Sequence, residues 1–182
     1  MLVIETERLR LQTLTPRHNG VVLTYYERNM EFFRPWLPAY GVDFFSEKFH
    51  GIWLMRDAER MKAGKQLKLF IFERADKKQT RIIGDISFSN IIMGVLRSCS
   101  VGYKMDRQEN GKGYMTEALA HGIQYMFEER ELHRIEANIM PRNIASQRVV
   151  EKLGFEREGL SKSYLKINGV WEDHLRFALI NE

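Results

Sequence analysis

Residues 98–130 read SCSVGYKMDRQENGKGYMTEALAHGIQYMFEER, and the fold turns on the change of period inside them. Over 98–106, Cys99, Val101, Tyr103 and Met105 take one face while Ser100, Gly102 and Lys104 take the other, the pattern of a half-buried strand. Over 113–130, Met115, Ala118, Leu119, Gly122, Ile123, Met126 and Phe127 recur at helical spacing, with Glu117, His121, Gln124 and Glu128 on other faces. Between strand and helix lies Gln108-Glu109-Asn110-Gly111-Lys112-Gly113. Two glycines one residue apart let the backbone turn tightly enough for several N–H groups to aim at one point, and the helix adds its positive end. Such a turn suits a diphosphate, although by spacing alone Gly-x-Gly also reads as an ordinary loop. It is neither a P-loop, which needs Gly-Lys-Ser/Thr where Lys112-Gly113-Tyr114 stands, nor a dinucleotide fingerprint, whose third glycine is replaced by Thr116.

Working outward, 134–140 reads as a strand that ends before Pro141, and 143–153 as a shorter helix stopped by Gly154. Two strands, 158–167 and 170–180, flank Asn168-Gly169, a hairpin signal. On the N-terminal side, 8–14 alternates as a strand, and Thr15-Pro16 opens a helix to about Asn29. An aromatic stretch follows (Phe32, Phe33, Trp36, Tyr40, Phe44, Phe45 and Phe49), broken by Pro35 and Pro38. A helix over 47–62 and strands over 67–73 and 81–90 complete the order β-α-α-β-β-β-α-β-α-β-β, an α/β or α+β mixed sheet of about seven strands with about four helices.

The chain has 182 residues, 44% of them hydrophobic, including 11 Phe, 7 Tyr and 3 Trp, enough for one sizeable core and for a single domain over 1–182. The net charge of +4 is spread along the chain. It suits an anionic cosubstrate and gives no case for nucleic acid. One cysteine, Cys99, excludes an internal disulfide and a Cys-x-x-Cys zinc site, and no metal is expected. The opening MLVIETERLR carries early charge and no apolar segment, and no uncharged run approaches a membrane span, so a cytoplasmic protein is expected.

In this setting, Gln108-x-x-Gly111-x-Gly113 leading into a long helix resembles motif A of the GNAT acetyltransferases, and Asn143-x-x-Ser146 opening a helix that ends in Leu153-Gly154-Phe155 resembles their motif B. The likeness is strongest to the RimJ/RimL branch, the ribosomal-protein N-terminal acetyltransferases, and to RimJ-type members above all. It rests further on Tyr25-Tyr26-Glu27-Arg28-Asn29, Phe33-Arg34-Pro35-Trp36, Phe88-Ser89-Asn90, His133-Arg134-Ile135, Met140-Pro141-Arg142-Asn143, Glu151-Lys152 and Trp171-Glu172-Asp173-His174.

The resemblance implies acetyl-CoA in a V-shaped gap where strands 98–106 and 134–140, the fourth and fifth, splay apart. The pantetheine arm would run along Tyr103, Lys104 and Met105, with an N–H near Lys104 or Met105 polarising the thioester carbonyl. The pyrophosphate would take N–H groups from about Glu109 through Asn110, Gly111, Lys112 and Gly113 to Tyr114. Arg107, Lys112 and Lys152 are candidates for the adenosine phosphates, or ordinary solvated charges. Ser146 would serve the departing thiolate, at a position where many GNAT enzymes carry a tyrosine, with Asn143 beside it; alternatively it only satisfies backbone groups at the start of its helix. Candidates for a base are Glu136, Asp173, His174 and Glu117. Glu136 alternatively forms a cross-strand ion pair, His174 alternatively packs as a structural residue, and Glu117 alternatively serves only the helix N-terminus. RimL-type enzymes place a glutamate in the penultimate strand, where Leu165 or Tyr164 stands here, which leaves the base unassigned.

The implied reaction is acetyl transfer to a protein α-amine, with the N-terminal alanine of a ribosomal protein as favoured acceptor. A small-molecule amine (antibiotic, polyamine or amino acid) and a non-catalytic acyl-CoA- or ribosome-binding module are the alternatives. The aromatic stretch either packs or walls the acceptor groove, where Glu31 or Asp43 could meet a basic tail. A monomer and a homodimer both remain open.

Overall fold

In the computed structural model, which describes residues 1–182, the alternating segments become strands β1 (Val3–Glu5), β2 (Leu9–Gln12), β3 (Gln66–Glu73), β4 (Gly84–Ile92), β5 (Ser98–Met105), β6 (Arg134–Ile139), β7 (Glu156–Ile167) and β8 (Val170–Ile180). The helically spaced segments become α1 (Asn19–Phe33), α2 (Glu47–Lys62), α3 (Tyr114–Glu128) and α4 (Ile144–Lys152). The strands form one sheet in the order β1-β2-β3-β4-β5-β6-β8-β7, and every neighbouring pair is antiparallel except β5 and β6.

Several boundaries differ from the sequence expectation for local reasons. The eighth strand is β1, which pairs with β2 from Val3↔Gln12 to Glu5↔Arg10 and is too short to show an alternation of its own. Helix α1 follows a single tight turn at Pro16–His18 and continues past Asn29, whose side-chain amide donates to the Tyr25 carbonyl at 2.9 Å within the helix instead of ending it. Strand β4 starts at Gly84 and not at Arg81, because the Thr80 and Arg81 N–H groups are held by the Asp76 carboxylate at 2.7 and 3.0 Å.

Helix α3 covers one face of the sheet. Met115, Leu119, Ile123 and Met126 pack on Leu69, Ile86, Phe88, Val101 and Ile135, and Gly122 allows the close approach, since a Cβ there would meet the Phe88 ring at 3.1 Å. Helices α1 and α2 cover the other face, where Tyr25, Tyr26, Phe33 and Phe44 join Leu54, Phe70 and Phe72. No helix is long and apolar enough to cross a membrane.

The feature that positions the site is a divergence in mid-sheet. β5 and β6 are paired only from Ser98↔Arg134 to Ser100↔Glu136. Beyond that point β5 stays with β4 as far as Met105↔Gly84, while β6 stays with β8 as far as Ile139↔Leu175. The splay falls between the two segments the sequence indicated.

Candidate active site

The turn after β5 is organised by Asp106, which is fully buried. Its Oδ1 accepts from the Gln108 N–H at 2.9 Å, its Oδ2 from Arg28 Nε at 2.7 Å, and its carbonyl from the Glu109 N–H at 2.9 Å. Burial opposes its ionisation, but the Gln108 N–H, Arg28 and the Asn29 side chain outweigh it and hold the carboxyl below the usual range. The Arg107 N–H goes to Asn29 Oδ1 at 2.9 Å. The N–H groups of 107–109 are therefore consumed, and Glu109, expected at the start of the donor row, is not part of it.

From Asn110 onward the situation reverses. No main-chain N–H of residues 110–116 has an acceptor within the protein, and the first helical bond of the segment runs from Glu117 N to Gly113 O at 3.1 Å. Gly111 and Gly113 sit at φ +79° and +78°, a region that strains any residue with a Cβ. The free donors thus extend through Met115 and Thr116, which the sequence reading missed: they are the orphan first-turn groups of α3.

Side chains around the turn are largely committed to holding it. The Glu109 carboxylate, nearly buried, pairs with Lys112 at 2.6 Å and Arg81 at 2.8 Å. Glu117 accepts from Thr6 Oγ1 at 2.5 Å, Arg8 N–H at 3.0 Å and Arg8 Nε at 2.6 Å, and so clamps the turn between β1 and β2 to α3. Arg8 also donates to the Lys112 carbonyl at 3.0 Å and lies 4.7 Å from the Tyr114 ring centre. Glu117 is thereby removed from the candidate bases. Lys152 lines the groove beside Gly111 and Gly113, together with Arg148, a cation that sequence reading did not single out. Arg107 does not line it.

The groove runs from this turn past Met105, Met115 and Val149 into the splay, and then to a cleft walled by Trp36, Leu37, Asn138, Leu165 and His174. Along β5, Asp106 N–H bonds to Ile83 O at 2.8 Å. Antiparallel alternation then sends the main-chain groups of Tyr103 and Met105 into the gap, whereas those of Lys104 face β4. The Lys104 side chain lies on the opposite face and, with Lys68, flanks the buried Asp85, which also accepts from Tyr25 Oη at 3.1 Å. Burial opposes the charge on Asp85, but Lys104 and Lys68 prevail and keep it ionised.

Across the splay, Ser146 Oγ donates to Tyr103 Oη at 2.8 Å and Tyr103 Oη donates to the Ser146 carbonyl at 2.9 Å. Burial raises the Tyr103 hydroxyl pKa, so this group remains a neutral donor. Asn143 caps α4, its Oδ1 accepting the Ser146 N–H at 3.2 Å. The turn, Tyr103, Asn143 and Ser146 therefore belong to one groove.

Two other proposed residues do not join them. Glu136 is held between Arg134 Nε at 2.8 Å and Arg176 at 3.0 Å, the cross-strand ion pair. Asp173, one residue from His174 and so on the opposite face of β8, accepts the Ser163 N–H at 2.8 Å and stabilises an irregularity in the β7–β8 pairing. His174 does reach the cleft, as does Asn138, which sequence reading passed over. Of the aromatic stretch, Phe33 and Phe44 are buried, Phe33 also bordering the groove with Phe32 and Trp36, while Glu31 and Asp43 are exposed outside it. No group of three or more His, Cys, Asp or Glu side chains could hold a metal ion.

Known proteins share this fold and much of this sequence. Residues 8–156 match the family model of the acetyltransferase (GNAT) domain. The chain is 37% identical to the [ribosomal protein uS5]-alanine N-acetyltransferase of Escherichia coli over 97% of its own length and 89% of the relative's. Among solved structures, the ribosomal-protein-S5-alanine acetyltransferase of Vibrio fischeri superposes with a TM-score of 0.93 at 34% identity, over 100% of this chain and 98% of that one. RimJ of Mycobacterium smegmatis, solved in complex with CoA-disulfide, gives 0.87 at 28% identity, over 94% and 81%.

Proposed function

The chain belongs to the GNAT acetyltransferase family, and from that premise we propose that it transfers acetyl from acetyl-CoA to the α-amine of a protein, with the N-terminal alanine of a ribosomal protein as acceptor. The acceptor follows the uS5-alanine activity named for its relatives.

The residues fit the cosubstrate. The free N–H groups of 110–116 would take the pyrophosphate, with Lys152 and Arg148 at its flank. Tyr103 and Met105 would pair with the pantetheine amides, and the Met105 N–H would meet the thioester carbonyl as charge develops on its oxygen. Ser146, oriented by Asn143 and Tyr103, would turn its hydroxyl towards the departing sulfur. Acetyl-CoA supplies the activated acyl group, and the protein supplies alignment of amine and thioester.

The observation that favours a protein α-amine over a polycationic small amine is the charge of the acceptor half of the cleft: no carboxylate lines it, Lys166 does, and Lys104 on its wall is paired with the buried Asp85. A polyamine needs carboxylate partners there, while an N-terminus presents a single charge followed by neutral backbone. The chemistry is also mild. An α-amine of pKa near 7.8 is brought to its neutral form at pH 7 for about 1 kcal/mol, against about 4.6 for lysine.

Incubation with acetyl-CoA and purified ribosomal proteins, followed by mass spectrometry of intact N-termini, tests the proposal. A gain of about 42 Da on an α-amine, the increment of one acetyl group, supports it; transfer confined to lysine side chains refutes it.

A further inference from the structure

Asn138 and His174 lie on the same face of neighbouring strands. The β6–β8 register pairs Asn138 with Arg176 and Ile139 with Leu175, which makes His174 the diagonal neighbour of Asn138, on the order of 7–8 Å away. Both line the cleft that holds Tyr103 and Ser146, and Tyr164 of β7 touches both, its hydroxyl 3.5 Å from Asn138 Nδ2 and its ring 5.4 Å from that of His174.

Each presents an acceptor atom without a protein donor. Asn138 Oδ1 is buried and unpartnered, an arrangement that native proteins rarely tolerate without a ligand or water to satisfy it. His174 Nδ1 stands 3.1 Å from the Glu172 carbonyl. A carbonyl only accepts, so Nδ1 carries the proton of the neutral ring and Nε2 carries the lone pair. The surrounding charges are already engaged or cationic: Glu172 is paired with Arg142 at 2.9 Å, Arg176 with Glu136, and Lys104 and Lys166 line the cleft from β5 and β7.

We infer that Asn138 and His174 form the receptor for the acceptor amine, Asn138 Oδ1 taking one of its N–H bonds and His174 Nε2 acting as the base. The inference rests on the acyl-transfer reading of the cleft. An incoming R–NH3+ gives one proton to His174 Nε2. Its nitrogen lone pair forms the N–C bond as the C–S bond breaks, the second proton leaves nitrogen to make the thiol, and His174 returns its proton to solvent. Two bare acceptors fit a donor-rich ammonium group, and Glu136 and Asp173, bound elsewhere, do not compete for the role.

The test is the pH dependence of kcat/KM for His174→Gln and Asn138→Leu with an alanine-initiated peptide, alongside calorimetric CoA affinity and thermal unfolding of each variant. His174→Gln must wait for amine that is already neutral. Its activity should fall about sevenfold below wild type at pH 7, with a gap that widens towards pH 6 and closes above pH 9, because the acceptor's own pKa is near 7.8. Asn138→Leu should raise KM for the peptide roughly tenfold with kcat and CoA affinity nearly unchanged. A His174→Gln profile parallel to wild type at every pH overturns the base assignment, and an unchanged peptide KM in Asn138→Leu overturns the receptor. If the wild type acetylates lysine and not α-amines, the substrate reading fails separately, and the base assignment then requires the His174→Gln gap to close only near pH 10.4. A chain that binds CoA and acetylates no amine overturns both.

Discussion

Ser146 and Tyr103 are locked in a reciprocal pair across the splay, the serine hydroxyl donating to the tyrosine oxygen at 2.8 Å and the tyrosine hydroxyl to the serine carbonyl at 2.9 Å. This pair fixes α4 against β5 beside the gap where β5 and β6 part. Ser146→Ala removes one hydroxyl and leaves the main-chain half of the link. Its kcat should drop roughly 10- to 100-fold, the worth of one hydrogen bond to a developing thiolate, while CoA affinity moves less than threefold as a rough bound on a lost neutral contact. Stopped-flow thiol release and calorimetry check the two arms. Tyr103→Phe breaks both bonds and should also lower the unfolding midpoint.

At the turn proposed to hold the pyrophosphate, a Cβ on Gly111 would have no atom within 4 Å, so only its φ of +79° and the free N–H groups around it resist substitution. Gly111→Ala should fold with a loss of about 1–2 kcal/mol from left-handed strain and bind CoA weakly. Gly111→Glu should lose CoA binding outright, since a carboxylate would stand among donors meant for phosphate. Isothermal titration of both variants separates strain from repulsion.

His50 supplies a pH response remote from catalysis. Its ring is fully buried, stacked on Tyr26 at 5.4 Å, with neither nitrogen partnered. Burial pushes its pKa down to about 4, against a smaller opposing pull from the Phe44 backbone. The unfolded chain, with His50 near 6.5, binds more protons between pH 6.5 and 4. Stability is therefore full above pH 6.5 and falls by up to about 3 kcal/mol as pH drops through that window. Urea unfolding at pH 4.5 and 7 should show the loss, and His50→Phe should remove most of it.

Cys99 faces α3 from β5 and is nearly buried; burial, aided by Glu136, pushes its thiol up to about 12. At pH 8 it should resist iodoacetamide in the native protein and react at once in urea. Modification of the folded chain at the rate of a free thiol would show that the α3–β5 contact opens.

Most of this architecture was legible because period reports burial. The clean alternation of 98–106 and the stripe from Met115 to Phe127 survive almost residue for residue as β5 and α3, and the two glycines mark the turn. Pairing and commitment were not legible. Nothing in the spacing of Glu109 reveals that its N–H is spent on Asp106 and its carboxylate on Arg81 and Lys112. For Glu136 the cross-strand ion pair was one of two readings, and only the β6–β8 register supplies its partner Arg176; Asp173 looked available because Ser163 reaches it through an irregular register of β7. Asn138 escaped notice for the opposite reason: its importance is a missing partner, which only three-dimensional packing can disclose.

The central claim is that the unpaired N–H row at 110–116 seats the nucleotide's phosphates, and amide hydrogen exchange with and without CoA addresses it directly. Without CoA these amides should exchange quickly compared with those of the rest of α3; on saturation they should slow at least tenfold, roughly the effect of one formed hydrogen bond. Unchanged exchange at 110–116 under saturating CoA, with protection arising elsewhere, would contradict it.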